Sequence, residues 1–125
     1  MSHNAGTRRF LGPFTAVNLN SANTDVLTIN GLPAKYILFR VYLYDASTSL
    51  TTATVDLRTA SGGGGTALVS AFAPTALTTA TNFIAATLAS AASASYNTAS
   101  TLTVRCVAAQ GGAATATFLL EIIEA

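Results

Sequence analysis

Charged residues are scarce in this chain of 125 residues. Six residues are basic and five are acidic, together 9% of the sequence, where average soluble proteins have about a quarter. The net charge of +1 provides no strong field for attraction to nucleic acid or to an anionic membrane. Hydrophobic residues make up 50%, which excludes disorder, because disordered chains combine low hydrophobicity with high net charge. A surface with so little charge is typical of a protein that packs against others.

Side chains that perform chemistry are equally rare. His3 and Cys106 each occur once, and the five acidic residues are scattered singly. No histidine outside the N-terminus is present for a catalytic triad, no two carboxylates are spaced as an acid–base pair, and no metal-ligand cluster exists. Cys106 shares a strand face with Leu102 and Val104, which predicts a buried, inert thiol. We predict a protein that is not an enzyme and has no cofactor, metal or small-molecule substrate.

Long apolar runs are also missing. None approaches the ~20 residues of a membrane-spanning helix, so we expect no membrane partner. The first residues, MSHNAGTRRFLG, have no apolar core of the kind found in secretory signals. We therefore expect a protein that is made in the cytoplasm and leaves it only within a larger particle.

The residues that are abundant favour strands. Thr and Val recur with a period of two between turns of Gly, Pro, Asn, Ser and Asp, while helix formers are few. The pattern predicts one all-β domain, a single antiparallel β-sandwich of jelly-roll type over residues 14–125. About eight strands are predicted: Phe14–Leu19, Thr24–Ile29, Lys35–Asp45, Thr51–Thr59, Thr66–Ala73, Asn82–Ala89, Thr101–Ala108 and Ala113–Ile123.

Three connections have distinctive compositions. The segment SGGGGT, Ser61 to Thr66, has no lysine after its glycines and precedes a strand, so it predicts a hairpin loop and not a phosphate-binding loop. The segment AQGGAA, Ala109 to Ala114, predicts a hairpin between the last two strands. LASAASASYNTAS, Leu88 to Ser100, is interpreted as a loop, with a short helix as the alternative.

The segment KYILFRVYLYDA contains the strongest strand signal and an unusual second face. Strict alternation places Ile37, Phe39, Val41 and Leu43 on one side. The other side then has few of the small polar residues expected of an exposed face. Together with apolar residues on the outward side of later strands, it forms the candidate interface: Tyr36, Leu38, Arg40, Tyr42, Tyr44, Val107, Leu119 and Ile123.

Two interpretations of this interface set are possible. Tyr, Arg and Leu provide large buried areas at protein interfaces, and exposed apolar patches of this size are uncommon on monomers. Subunit contact is therefore favoured. The alternative is that both faces lie inside one domain, beneath a loop or the N-terminal residues.

Residues 1–13 are predicted to form an N-terminal arm. Its candidate capsid-binding residues, together with the first residue of the adjoining strand, are Arg8, Arg9, Phe10, Leu11 and Phe14. The arm either reaches a neighbouring subunit through its apolar residues or is a frayed terminus in which Phe14 only begins the first strand.

The tyrosines allow two further interpretations. A sugar-binding module would stack rings on Tyr36, Tyr42 and Tyr44, although few acidic or amide residues accompany them. A nucleic-acid surface would need more cations than Arg40 alone, so no nucleic-acid partner is expected.

Several turn-and-strand motifs resemble those of small virion structural proteins of tailed bacteriophages. They are NGLPAKY before the third strand, SGGGGTAL, PTALTT and the terminal GGAATATF, within a stretch from Ala22 to Glu121. The resemblance implies a β-sandwich subunit of the phage head, neck or tail with no enzymatic residues.

From this resemblance we expect a capsid decoration or cement protein, assembled in the host cytoplasm and located on the capsid surface of the virion. Its expected partners are copies of itself, with a trimer as one stoichiometry to test, and the major capsid protein or other virion proteins. A neck or tail component is the alternative within this class, and the sugar-binding module is the alternative outside it.

Overall fold

The β-branched and aromatic runs form strands in a computed structural model that describes residues 7–80 and 83–125. His3, Thr81 and Asn82 lie outside the described residues. Within them there are eight strands and one short 3-10 turn at Ser90–Ala92. The strands are β1 Thr7–Asn18, β2 Thr24–Ile29, β3 Tyr36–Tyr44, β4 Thr54–Arg58, β5 Ala67–Phe72, β6 Phe83–Ala85, β7 Leu102–Ala108 and β8 Thr115–Glu124.

The strands form two antiparallel sheets of four strands, in the orders β1-β8-β3-β6 and β2-β7-β4-β5. The first strand pairs with the last, the second with the seventh, the third with the sixth and the fourth with the fifth. This order results when one long antiparallel hairpin is rolled into two layers, which is the arrangement of a jelly roll. The predicted all-β, single-domain sandwich with about eight strands is confirmed.

The core lies between the two sheets and consists mostly of Leu, Ile and Val. Leu43, Leu102 and Leu120 are fully buried. The loops contribute as well, since Leu50 and Leu77 are fully buried and the Leu50 amide donates to the Leu77 carbonyl at 3.1 Å. The Cys106 thiol is also fully buried, as its strand face predicted.

The N-terminal residues differ from the prediction. Residues 7–13 belong to β1, which pairs with β8 from Thr7 opposite Glu124 to Asn18 opposite Thr115. The strand therefore begins seven residues before the predicted start at Phe14, and these seven residues do not form a separate arm. The pairing of β1 with β8 is irregular around Gly12, which has φ +106°. This irregularity interrupts the alternation that marks a strand, so the sequence pattern predicted too late a start for β1.

The predicted hairpin at Ala109 to Ala114 is wrong. β7 and β8 lie in opposite sheets, so this glycine-containing segment crosses from one layer to the other. The loop at Ser61 to Thr66 does join paired neighbours, β4 and β5, as predicted. The Leu88–Ser100 segment is a loop apart from the Ser90–Ala92 turn and a single bridge from Asn97 to Tyr36.

A β-bulge in β3 changes which side chains face the core. The pairing of β3 with β8 shifts between Leu38 and Arg40, so the strand has one extra residue there. A bulge of this kind reverses the alternation for the residues that follow it. Tyr36 and Leu38 before it point inward, as do Val41 and Leu43 after it.

The 3-10 turn is the one helical element in the described ranges, and no helix there has the length and apolar character needed to cross a bilayer.

Candidate interaction surface

The outward side of the β1-β8-β3-β6 sheet is rich in aromatic and aliphatic side chains. We refer to it as the aromatic face. Its members follow from strand register and exposure: Arg8, Phe10, Ile37, Phe39, Arg40, Tyr42, Tyr44, Phe83, Leu119, Glu121 and Ile123. Most are half-buried by their neighbours, while Phe10 is 54% and Phe83 57% exposed.

Three aromatic rings cluster at the β3–β6 edge of this face. Phe83 stands opposite Tyr44 in the register. Its ring centroid lies 5.2 Å from that of Tyr42 and 5.8 Å from that of Tyr44, with tilted planes. Such pairs contribute roughly 0.5–1.5 kcal/mol beyond the area that they bury, so the three rings hold each other in place and present a fixed apolar surface.

A second group is centred on Phe39, the extra residue of the bulge. The guanidinium carbon of Arg8 lies 5.0 Å from the centre of the Phe39 ring, and that of Arg40 lies 4.7 Å from it. Both distances are within the range of a cation–π interaction. The bulge therefore places Phe39 beside Arg40 on the outward side and brings the ring within reach of two cations.

Glu121 lies in the middle of the aromatic face but is only 3% exposed. One carboxylate oxygen accepts a hydrogen bond from the Tyr42 hydroxyl at 2.9 Å, and the other pairs with Arg8 Nε at 2.9 Å. A buried carboxylate requires such partners, since an unpaired one is costly to desolvate. Desolvation raises the pKa of the Tyr42 phenol, and the hydrogen bond to Glu121 raises it further.

Most charged side chains are already paired within the chain. Among residues 7–80 and 83–125 there are four ion pairs, Arg8–Glu121, Arg9–Glu124, Arg58–Asp56 and Arg105–Asp25. The charged residues outside these pairs are Lys35, Arg40 and Asp45, and all three are exposed. They lie on β3 or directly beside it, so the unpaired charge of the described chain is concentrated along one strand.

The outward side of the other sheet is polar. Asp25 pairs with Arg105 at 2.9 Å and accepts the Gly62 amide at 2.9 Å. The Gly62 hydrogen bond, assisted by Arg105, lowers the pKa of the Asp25 carboxyl. Asp56 is 6% exposed and accepts the amide of Ala71 at 2.6 Å. Ion pairs therefore lie on this side of the sheet, and the β4–β5 loop packs against the Asp25–Arg105 pair. Among the described residues no aromatic cluster forms there.

The structure divides the predicted interface residues into three groups. Tyr36 and Leu38 are fully buried in the core, so their assignment to an outward face is wrong; the bulge is the reason. Val107 lies on β7, in the opposite sheet. The remaining five lie together on the aromatic face: Arg40, Tyr42, Tyr44, Leu119 and Ile123.

The predicted arm residues also have different environments. Leu11 is 8% exposed and Phe14 packs against the core. Both side chains therefore contact their own chain and do not extend towards a neighbouring subunit. Arg8 and Arg9 pair with carboxylates of β8. Phe10 alone among these five presents an exposed apolar side chain.

Sequence reasoning missed Ile37, Phe39 and Phe83 on this face. Ile37 and Phe39 were expected to face inward because strict alternation was applied across the bulge. Phe83 belongs to a strand of only three residues, too short for periodicity to assign a face. The aromatic side chain of Phe83 was the only feature of the sequence that could have indicated its place on this face.

The platform of three tyrosines expected for sugar binding does not form. Tyr36 is buried and donates its hydroxyl to the Ala99 carbonyl at 2.9 Å, and the Tyr42 hydroxyl is bonded to Glu121. An open cleft of about 450 Å³ lies elsewhere, beside Tyr96 and Asn97, and is otherwise lined by Ala, Ser and Thr. Across the described ranges, no three His, Cys, Asp or Glu side chains come together as metal ligands would.

Comparisons with family models, with curated proteins and with solved structures find no match to this chain.

Proposed function

We propose that this protein is a non-enzymatic structural protein of a tailed-phage virion, a decoration or cement protein that assembles as a homo-oligomer and stabilises the head shell from its outer surface. The observation that carries the proposal is the aromatic face. One sheet has an outer surface rich in apolar side chains, with Phe10 and Phe83 more than half exposed, and the opposite sheet has a polar one.

The energetics favour covering this face. Removing apolar surface from water contributes about 25 cal/mol per Å², and a standard interface buries about 800 Å² on each partner. Association costs offset much of this gain, so a single contact of this size is of moderate strength. On a shell, many identical contacts act together and raise the overall affinity.

Charge and fold are compatible with the same role. With a net charge of +1, identical subunits pack closely without strong repulsion. Jelly rolls occur in viral capsid proteins, and also in lectins and cupins, so the fold alone does not select a function. The bacteriophage-like turn motifs support the viral assignment, and the aromatic face supports assembly.

The first test asks whether the protein is a component of the virion and where on the particle it lies. Mass spectrometry of purified virions from the phage that encodes this chain should detect it in many copies, and cryo-electron microscopy should place it on the head. Detection at the neck or tail would support the alternative within the same class. A chain found only in the soluble fraction of infected cells would contradict the proposal.

The second test examines the aromatic face directly. Phe83→Ser should reduce binding to shells that lack the protein by at least tenfold, because it removes the most exposed ring of the aromatic cluster. Tyr96→Ser is the matched control: Tyr96 is 45% exposed but lies beside the separate cleft. Equal effects of the two substitutions would show that the aromatic face is not the contact. Binding to a glycan array that is lost with Tyr42→Ala would instead favour the sugar-binding module.

A further inference from the structure

The loop from β2 to β3 contains the only Asn-Gly pair of the sequence, Asn30 and Gly31. It crosses from one sheet to the other between Ile29 and Tyr36, which are both buried. Asn30 and Gly31 themselves are exposed and belong to neither strand. An asparagine followed by glycine is the pair in which a backbone nitrogen most easily attacks the preceding amide side chain, because glycine has no side chain to crowd that nitrogen.

Both reacting groups of this pair are unengaged. Among the described residues, neither the Asn30 side chain nor the Gly31 amide has a hydrogen-bond partner. Gly31 has φ +76°, and no described atom outside its chain neighbours lies within 4 Å of the position that a Cβ would occupy. The hydrogen bond that holds the loop here uses the Gly31 carbonyl, which accepts from Arg9 Nη2 at 3.3 Å. The fold therefore leaves the Asn30 side chain free to rotate towards the Gly31 nitrogen.

The other asparagines of the described chain are placed differently. Hydrogen bonds hold three of their side chains: Asn18, Asn20 and Asn97. The Asn20 side chain, for example, accepts the Gly111 amide at 2.8 Å. The fourth, Asn23, precedes Thr24, whose β-branched side chain crowds the nitrogen that would have to react. Asn30 therefore combines an unengaged side chain with an uncrowded neighbouring nitrogen.

We infer that Asn30 is a site of spontaneous covalent modification, at which the folded protein deamidates through a cyclic imide. The Gly31 nitrogen gives up its proton to solvent base and attacks Cγ of Asn30. A bond forms between these two atoms, the bond from Cγ to Nδ2 breaks, and ammonia leaves. The nucleophile and the carbonyl belong to adjacent residues, so the reaction is intramolecular and is favoured by proximity.

Water completes the reaction. It adds to either carbonyl of the imide and breaks that carbonyl's bond to the Gly31 nitrogen. Residue 30 becomes aspartate, or isoaspartate, in which the chain continues through the former side-chain carbonyl. The overall change consumes one water and releases one ammonia, with no oxidation or reduction.

The modification changes the charge at one end of the β1–β8 pair. The new carboxyl has an ordinary pKa of about 3.9, so it is ionised at neutral pH and lowers the net charge of +1 by one. It forms one residue away from the carbonyl that binds Arg9, and Arg9 also pairs with Glu124 at 3.3 Å. The inference does not depend on the proposed virion role, because it concerns only the chemistry of this loop.

Peptide mapping of the aged protein tests the inference. The wild type is incubated at pH 8 under conditions in which its circular-dichroism spectrum stays native, and is then digested with trypsin. The peptide between Arg9 and Lys35 contains Asn30 and three other asparagines, so each serves as an internal reference. Fragmentation by mass spectrometry should find deamidation at Asn30 at least tenfold faster than at any of the other three. Equal rates at the four positions would overturn the inference.

Two further measurements examine protection by the fold and the route of the reaction. A synthetic peptide covering Thr28–Ala34 gives the rate for unstructured chain, and the folded protein should react within about tenfold of it. Stronger protection would show that the loop holds Asn30 away from the Gly31 nitrogen and would refute the inference. Isoaspartate should accompany aspartate among the products, and aspartate alone would refute the imide route.

Asn30→Gln is the matched control. Glutamine keeps the amide and the neutral charge, but its longer side chain would have to close a larger ring, which forms more slowly. The variant should lose the deamidation mass shift of this peptide and retain the native circular-dichroism spectrum. A mass shift that persists at the wild-type rate would place the reaction elsewhere and overturn the assignment to Asn30.

Discussion

At the scale of single residues, Glu121 shows how a charge is accommodated beneath an apolar surface. It lies on the outward side of β8 but is covered by its neighbours, and both carboxylate oxygens have partners. Hydrogen bonds to charged groups contribute more than those between neutral groups. The aromatic face therefore depends on a buried polar network for its geometry.

We expect Glu121→Gln to reduce the free energy of unfolding by about 1.5–3 kcal/mol, because charge-assisted bonds to Tyr42 and Arg8 are lost. Glu124→Gln is the control. Glu124 pairs with Arg9 at 3.3 Å in a more exposed setting, so its loss should cost less than about 1 kcal/mol. Urea denaturation measures the free energy of unfolding of both variants. An equal loss in the two would contradict the view that burial makes the interactions of Glu121 stronger than those of Glu124.

Tyr36 makes stability sensitive to alkaline pH. Burial raises the pKa of its phenol from 10.0 to about 12, and the neutral hydroxyl donates to the Ala99 carbonyl. A group whose pKa is raised in the folded state contributes its full stability below its unfolded-state pKa and loses that contribution as pH rises through the folded-state value. The contribution of Tyr36 is therefore complete below about pH 10 and declines towards pH 12.

The test compares the wild type with Tyr36→Phe. At pH 8 the variant should be about 1 kcal/mol less stable, because one hydrogen bond is lost. Between pH 10 and pH 12 the wild type should lose roughly 2–3 kcal/mol of unfolding free energy relative to the variant. The stability difference should therefore shrink and then reverse, so that the variant becomes the more stable protein. Denaturant titrations at a series of pH values measure it, and a difference that is constant with pH would refute the assignment.

At the scale of elements, the bulge in β3 decides which residues form the core. The alternation in the sequence predicts Ile37 inside and Leu38 outside, whereas the structure has Leu38 fully buried and Ile37 half-buried on the aromatic face. One extra residue at Phe39 allows Val41 and Leu43 to point inward as well. The strand therefore supplies both the core and the aromatic cluster.

Adjacent substitutions test the bulge. Leu38→Ala should reduce the free energy of unfolding by about 2–5 kcal/mol, the usual cost of truncating a buried leucine. Ile37→Ala should cost less than about 1.5 kcal/mol, because its side chain is only partly buried. Chemical denaturation measures both costs. A larger loss of unfolding free energy for Ile37→Ala than for Leu38→Ala would mean that β3 alternates without a bulge.

At the scale of the whole molecule, the jelly-roll order brings the ends of the described chain together. Thr7 is opposite Glu124, a separation of ~5 Å between Cα atoms of paired antiparallel residues. β1 and β8 are therefore distant in sequence but adjacent in space. Pairing strands that are far apart in sequence slows folding, because closing the long intervening loop costs entropy before the contacts between the strands form.

A circular permutant tests this consequence. Joining Ala125 to Met1 and opening the chain between Gly111 and Gly112 turns β8 and β1 into sequence neighbours. We expect the fold to be retained and the folding rate to rise by about tenfold, measured by stopped-flow refolding.

The control permutant keeps the same junction but opens the chain between Gly62 and Gly63. That loop joins the paired strands β4 and β5, so one local pairing is lost as another is gained. A similar acceleration in both permutants would show that strand order does not limit folding.

The strand content, the approximate strand positions and the buried Cys106 could all be predicted from the sequence, because they depend on local propensity and on a period of two. The face assignments on β3 failed at a single bulge. The connection from β7 to β8 was misassigned because a glycine turn looks alike whether it joins neighbours in one sheet or crosses between two. On the candidate face, Tyr42, Tyr44, Leu119 and Ile123 were identified, whereas Phe83 was not.

The sequence alone determined that this is a β protein with few charges and more apolar side chains than one strand face requires. The tertiary structure decided where those side chains lie. Burial and ion pairing are non-local: the carboxylate that pairs with Arg8 is 113 positions away at Glu121, and the ring that completes the aromatic cluster comes from β6. Composition fixes the amount of apolar surface, but only the packing of the two sheets determines which part remains uncovered.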